Sequence, residues 1–257
     1  MAVTYCFTNQ KGGVGKTSSA SALASGLTNR GKKVLAVDLD PQGNFSLSCG
    51  VDLLTVEKTI YDVFKKSADV SEIIIHTKLG YDLIPGGIYL AGADMDFMQT
   101  GREFMLSEAL QKISGGYDYI VIDTPPTLGI LTVDALTASN YAVVPMSSDI
   151  YSIQGLSQLN GIVENVKRYC NKDLKIAGLL ITKYHDRQNL SKILMDQIQE
   201  AAKGLDTIVF KTKIRESVAI KESQLLQSDV FKEAPQANAV IDYNSFIDEL
   251  IGGENGK

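Results

Sequence analysis

Apolar positions along this chain recur in two different rhythms. Residues 3–9 form a short apolar run with β-branched members. Residues 16–30 follow, rich in Ala, Ser and Leu at helical spacing, and residues 34–38 are a second short apolar run. Later runs at 119–123, 142–145 and 176–182 read as buried strands. Helical patterns near 128–139, 153–169 and 190–203 lie between and after them. Continuously apolar strands that alternate with helices predict βαβ units. The fold class is therefore α/β: a mostly parallel twisted sheet with helices on both faces. The stretch 50–115 is less regular and reads as an insertion-like surface region with a helix near 102–113. A last helix near 237–251 precedes a Gly-Gly-Glu-Asn-Gly-Lys tail. No linker, repeat or low-complexity tract interrupts the pattern, so residues 1–257 are expected to form one domain.

Composition narrows the class. Of the 257 residues 44% are apolar and 21% charged, an ordinary globular balance. The three cysteines, Cys6, Cys49 and Cys170, are scattered and include no CxxC pair. That excludes a disulfide framework and a cysteine zinc site, and it points to a reducing cytoplasm. No apolar run reaches 18 residues, so a membrane span is not expected. Net charge is −5, but unevenly spread: residues 167–232 hold 13 Lys and Arg against 8 Asp and Glu. A basic segment of +5 on a protein otherwise at −10 points to an anionic partner for one face.

The chemistry is carried by Lys11-Gly12-Gly13-Val14-Gly15-Lys16-Thr17. It lies after a predicted strand and opens a predicted helix. Glycines there let backbone N–H groups turn inward around phosphates, and the helix N-terminus adds its positive end. Lys16 can reach the β and γ phosphates and the Thr17 hydroxyl can ligate Mg²⁺. The expected nucleotide loop runs from Lys11 through Gly12, Gly13, Val14, Gly15, Lys16 and Thr17 to Ser18, with ATP and magnesium as the cofactors. The usual pattern begins with glycine five residues before Gly15, and Gln10 stands there instead. A second lysine, Lys11, opens the loop.

Two further strands end in carboxylates. The run 34–37 leads into Asp38-Leu39-Asp40-Pro41-Gln42-Gly43, and the run 119–122 leads into Asp123-Thr124-Pro125-Pro126. Ligands of open parallel sheets bind beyond the carboxyl ends of the strands, which places all three aspartates near the phosphate loop. Asp123 is expected to support Mg²⁺ through a water.

Taken together, the segments at 9–17, 37–44 and 122–126, with Gly155-Leu156-Ser157-Gln158-Leu159 and Leu131-Thr132-Val133-Asp134-Ala135-Leu136, resemble the ParA/Soj partition ATPases. These belong to the deviant Walker A class that also includes MinD. The resemblance runs from the first strand to about residue 220. It implies that Lys11 is a signature lysine reaching the partner subunit's ATP in a nucleotide-sandwich homodimer. It implies catalytic roles for Lys11, Lys16 and Asp40, with Asp40 orienting the attacking water, and a metal set of Thr17, Asp38 and Asp123. It also implies weak basal ATPase activity stimulated by a ParB-type centromere-binding protein. The ATP-bound dimer would hold DNA without regard to sequence, in a cytoplasmic, nucleoid-associated setting.

Candidate DNA contacts are Lys192, Lys203, Lys211, Arg215 and Lys221. Relatives carry Ile-Pro-Arg in a loop bordering adenine, whereas this chain has Lys213-Ile214-Arg215. The first strand begins at residue 3, so no N-terminal helix-turn-helix extension of the kind found in larger plasmid relatives is expected.

Other readings come from the same class. A MinD-like membrane cycler needs a basic amphipathic C-terminal helix. Here that helix carries Asp242, Asp248 and Glu249. A ParA relative that positions protein cargo, of the kind linked to conjugation or cellulose synthesis, is the principal alternative.

Overall fold

Three all-buried or nearly all-buried strands set the centre of the fold: β1 (Val3–Phe7), β2 (Val34–Asp38) and, fifth in the chain, the strand Tyr119–Asp123. They are largely apolar up to their carboxyl ends because both sheet faces are covered. The computed structural model describes residues 2–147, 150–184 and 192–252, without the side chains of 150–154, 192 and 193. Completing the sheet are β3 (Ile75–His76), β4 (Asp82–Ile84), β6 (Tyr141–Ser147) and β7 (Lys175–Thr182), with Tyr119–Asp123 as β5. The order is β3-β4-β2-β5-β1-β6-β7. Every pairing is parallel except β3 with β4.

The helices follow in chain order: α1 (Lys16–Asn29), α2 (Asn44–Ser48), α3 (Ile60–Phe64), α4 (Ala93–Asp96), α5 (Met105–Gln111), α6 (Ile130–Thr137), α7 (Ile150–Tyr169), α8 (Lys192–Gly204), α9 (Val218–Leu225), α10 (Val230–Glu233) and α11 (Asn238–Gly252). Strand side chains alternate between two cores, as the pleat requires. Cys6, Leu35, Val37, Ile120 and Ile122 face the core shared with residues of α3 to α8. Tyr5, Phe7, Ala36, Val121 and Val143 face the core shared with α1, α2 and α11. The predicted strands and helices thus stand close to their predicted bounds.

The expectation for 50–115 needs correction. This stretch is not a surface insertion. It supplies β3 and β4 to the sheet edge, with Leu35↔Asp82 and Val37↔Ile84 in register. Ile60, Phe64, Val70, Leu83, Ile84, Leu90, Phe97 and Leu106 are all buried. Strands of two and three residues are too short to display a period of two, so no alternation marked them. The helix expected near 102–113 divides into a 3₁₀ turn at Arg102–Phe104 and α5.

Candidate functional site

Register brings the site together. Phe7, Asp38 and Asp123 are level partners at the carboxyl ends of β1, β2 and β5. The loop after β1 turns through Gly13 and Gly15, whose φ angles of 73° and 83° favour glycine. Gly15 is the residue before α1, and Lys16 and Thr17 are its first two residues. Asn9 braces the loop from within. Its amide nitrogen donates to the Pro145 carbonyl (2.7 Å), and its side-chain oxygen accepts from the Lys11 N–H (2.9 Å). The Thr182 hydroxyl donates to the Val14 carbonyl (2.8 Å), tying the loop to the end of β7.

Thr17 donates its hydroxyl to Asp123 Oδ2 over 2.6 Å. The other oxygen of Asp123 is buried and has no hydrogen-bond partner among the described residues. Burial pushes the Asp123 carboxyl well above the ordinary range, and the neighbouring Asp38 and Asp40 charges add to this, while Thr17 and Lys16 oppose it. Burial also lowers the Lys16 ammonium, against the opposing pull of Asp123 and Asp40. Lys16 Nζ donates to the Lys11 carbonyl at 3.3 Å. An ammonium and three carboxylates are therefore gathered in a poorly solvated corner. A divalent cation there would reverse the pressure toward neutral carboxyls.

These residues fit a magnesium-bound triphosphate. The unmatched oxygen of Asp123 is a vacant acceptor beside a threonine hydroxyl. A Cβ on Gly12 or Gly13 would meet nothing within 4 Å, so protein packing does not explain bare backbone at Gly12.

Asp38, expected in the metal set, accepts hydrogen bonds from its own loop. Its Oδ2 accepts from the Ser46 N–H (2.8 Å) and hydroxyl (2.7 Å), and its Oδ1 accepts from the Asp40 N–H (3.1 Å). Burial raises its carboxyl to about 6 despite these bonds. The carboxylate organises its own loop, because a buried anion takes the donors nearest to it. Asp40 is buried, with Oδ1 accepting from the Gln42 N–H at 2.9 Å. Lys11 Nζ reaches Ser147 Oγ at 3.3 Å within the same subunit. Ser18 Oγ accepts from Gln224 Nε2 of α9 at 3.3 Å.

The DNA candidates do not gather at this site. Arg215 forks onto Asp242 of α11, through Nε to Oδ2 (2.9 Å) and a terminal nitrogen to Oδ1 (2.7 Å). Lys221 lies 3.5 Å from Glu216 and Lys203 lies 3.4 Å from Glu200. Lys211 is exposed, and its backbone N–H bonds Glu249 (2.8 Å). The Lys192 side chain lies outside the described residues. Asp242 of α11, outside the segment, thus answers part of the +5 that the segment carries, which a count along the chain cannot show. Sequence reasoning missed Ser46, Gly86, Ser147, Thr182 and Gln224. Only the Gly86-Gly87 pair was a local signal, and it marked a turn rather than a contact.

The family profile described as AAA domain matches residues 2–176. The chain is 42% identical over 225 residues to the sporulation initiation inhibitor protein Soj of Bacillus subtilis, covering 87% of this chain and 88% of that protein. It is 38% identical over 196 residues to the chromosome partitioning protein ParA of Myxococcus xanthus, covering 76% and 69%. Its fold superposes with a TM-score of 0.86, at 31% identity, on cobyrinic acid a,c-diamide synthase from Mycobacterium smegmatis with bound ADP and magnesium, covering 100% of this chain and 97% of that one. With the phosphate loop, the paired Thr17 and Asp123, and relatives at this identity over most of its length, the chain belongs to the ParA/Soj family of P-loop partition ATPases.

Proposed function

We propose that this protein is a DNA-partition ATPase whose ATP-bound homodimer holds DNA without sequence preference and lets go after partner-stimulated hydrolysis. The observation that carries the nucleotide half is the Thr17–Asp123 contact beside Lys16, with one Asp123 oxygen left unmatched. The loop 11–18 holds the phosphates through its backbone N–H groups and Lys16. Thr17 and Asp123 would hold magnesium, which would supply neutralisation of phosphate charge. Asp40 orients the attacking water, and Asp38 holds Asp40 in place. Lys11 leaves Ser147 and delivers its charge to the nucleotide of the other subunit, as an arginine finger does in trans.

The names of the relatives support the partition half: Soj, and chromosome partitioning protein ParA. The exposed Lys203, Lys211 and Lys221 are the cations best placed to meet phosphate, and a ParB-type protein is the proposed activator. A second reading, protein cargo in place of DNA, draws on one observation: Arg215, Lys203 and Lys221 each have a carboxylate within ion-pair reach. An anisotropy titration on two unrelated duplexes, with ATP and with ADP, separates the two. Binding to both duplexes in ATP alone supports partition. Binding equal in ATP and ADP, or absent in both, favours protein cargo.

A further inference from the structure

Asp40 lies on a loop, and a loop carboxylate is useful in catalysis only if something fixes it. The fixing begins at Ser46, a fully buried residue of α2. Its backbone N–H and hydroxyl both donate to Asp38 Oδ2, at 2.8 and 2.7 Å. Asp38 Oδ1 then accepts the Asp40 N–H at 3.1 Å. A second element closes on the same point. The Gly86 N–H donates to Ser46 Oγ at 3.3 Å. A Cβ on Gly86 would stand 2.7 Å from the Asp38 carbonyl oxygen and 3.1 Å from that of Asp40. The turn that leaves β4 therefore lies flush against the backbone on both sides of Leu39, at a separation only glycine permits. The Ser46 hydroxyl gives its proton to Asp38 and receives one from Gly86, so its donor and acceptor sides are both committed.

We infer that Ser46 is a positioning residue for hydrolysis, holding Asp40 through Asp38, and that the bare backbone of Gly86 locks this arrangement from strand β4. The inference rests on the proposed role of Asp40 in orienting water. Neither Ser46 nor Gly86 lies in the phosphate loop, so the nucleotide should bind normally when they are changed. Misplacing a catalytic group by about 1 Å can cost on the order of 10²-fold in rate.

Single-turnover hydrolysis and nucleotide affinity decide it, measured with a fluorescent ATP analogue and Mg²⁺ on wild type, Asp40→Ala, Ser46→Ala, Gly86→Ala and the Asp40→Ala/Ser46→Ala double variant. Ser46→Ala is expected to hydrolyse about 10-fold to 10²-fold more slowly with affinity within about twofold of wild type. The double variant should be no slower than Asp40→Ala alone, because residues acting as one unit are not additive. A merely structural serine would instead weaken affinity and slow the double variant further. Should Ser46→Ala fail to fold, Gly86→Ala carries the test, with the same loss of rate at unchanged affinity expected. Wild-type turnover in the variant tested, beside a dead Asp40→Ala, overturns the inference and leaves the Asp40 assignment standing. Normal turnover in Asp40→Ala overturns both.

Discussion

Thr17, second residue of α1, and Asp123, last residue of β5, meet at 2.6 Å although 106 positions separate them. The parallel sheet makes the meeting possible, since β1 and β5 are adjacent and end level. The contact joins the phosphate loop to the loop that follows β5. A shift in either is felt by the other.

Nucleotide affinity should fall when this corner is opened. Lys16→Ala and Thr17→Ala each remove a charged or hydroxyl group from a poorly solvated site, where one such contact is worth about 1.5–3 kcal/mol. A loss of roughly 10-fold to 10²-fold in Mg-ATP affinity is expected. Isothermal titration measures it. Wild-type affinity in Lys16→Ala would remove the assignment of the loop.

Chemistry and assembly should separate at Asp40 and Lys11. Asp40→Ala is expected to bind ATP and dimerise yet hydrolyse little, because the phosphate cradle is intact. Lys11→Ala is expected to bind ATP and remain monomeric. Light scattering with ATP reports both. A Lys11→Ala protein that dimerises like wild type would confine Lys11 to its contact with Ser147.

Arg215 should prove structural as well as electrostatic. Its fork on Asp242 joins the strand-like turn after Phe210 to α11, with side chains 28% and 12% exposed. Arg215→Ala removes two of the three hydrogen bonds that Asp242 accepts from Arg215 and should lower stability by about 1–3 kcal/mol. The triple change Lys203→Glu, Lys211→Glu and Lys221→Glu should leave melting unchanged and weaken DNA binding alike on any duplex. Each lost phosphate contact should flatten the salt slope by about 0.9. A thermal melt paired with DNA titrations at several salt concentrations separates the two effects, and a triple variant with wild-type DNA affinity would move the DNA face elsewhere.

Asp134 should make stability fall as pH rises. It is buried in α6, one oxygen accepting from the Leu106 N–H at 2.9 Å and the other without a partner among the described residues. Burial pushes its carboxyl well above the ordinary range, and Glu103 and Glu108 add repulsion against the Leu106 bond. A carboxyl raised in the folded state contributes stability that is present below the unfolded value and lost as pH climbs through the folded one. Asp134→Asn should therefore raise the melting temperature more near pH 8 than near pH 5, by about 2–4 °C for each kcal/mol regained. An equal gain at both values would show that the carboxyl does not titrate between them.

Much of the architecture was legible because it is written locally. A five-residue apolar run such as Val34–Asp38 becomes a buried strand wherever both faces are covered, and Gly15-Lys16-Thr17 opens a helix by its own backbone preferences. The phosphate loop, the three strand-end aspartates and α11 follow from such signals. β3 and β4 did not, since strands of two and three residues are held by neighbours rather than by their own pattern.

Residue order along the chain is enough to nominate candidates for chemistry: Lys11, Lys16, Thr17, Asp40 and Asp123. Tertiary structure alone decided which partners the charged groups meet. Asp38 accepts from Ser46 and Asp40, and Arg215, counted as a cation in a basic segment, is matched by an aspartate 27 positions on. A charge acts through the nearest partners in space, in a dielectric set by burial, and neither distance nor burial is a property of sequence neighbours.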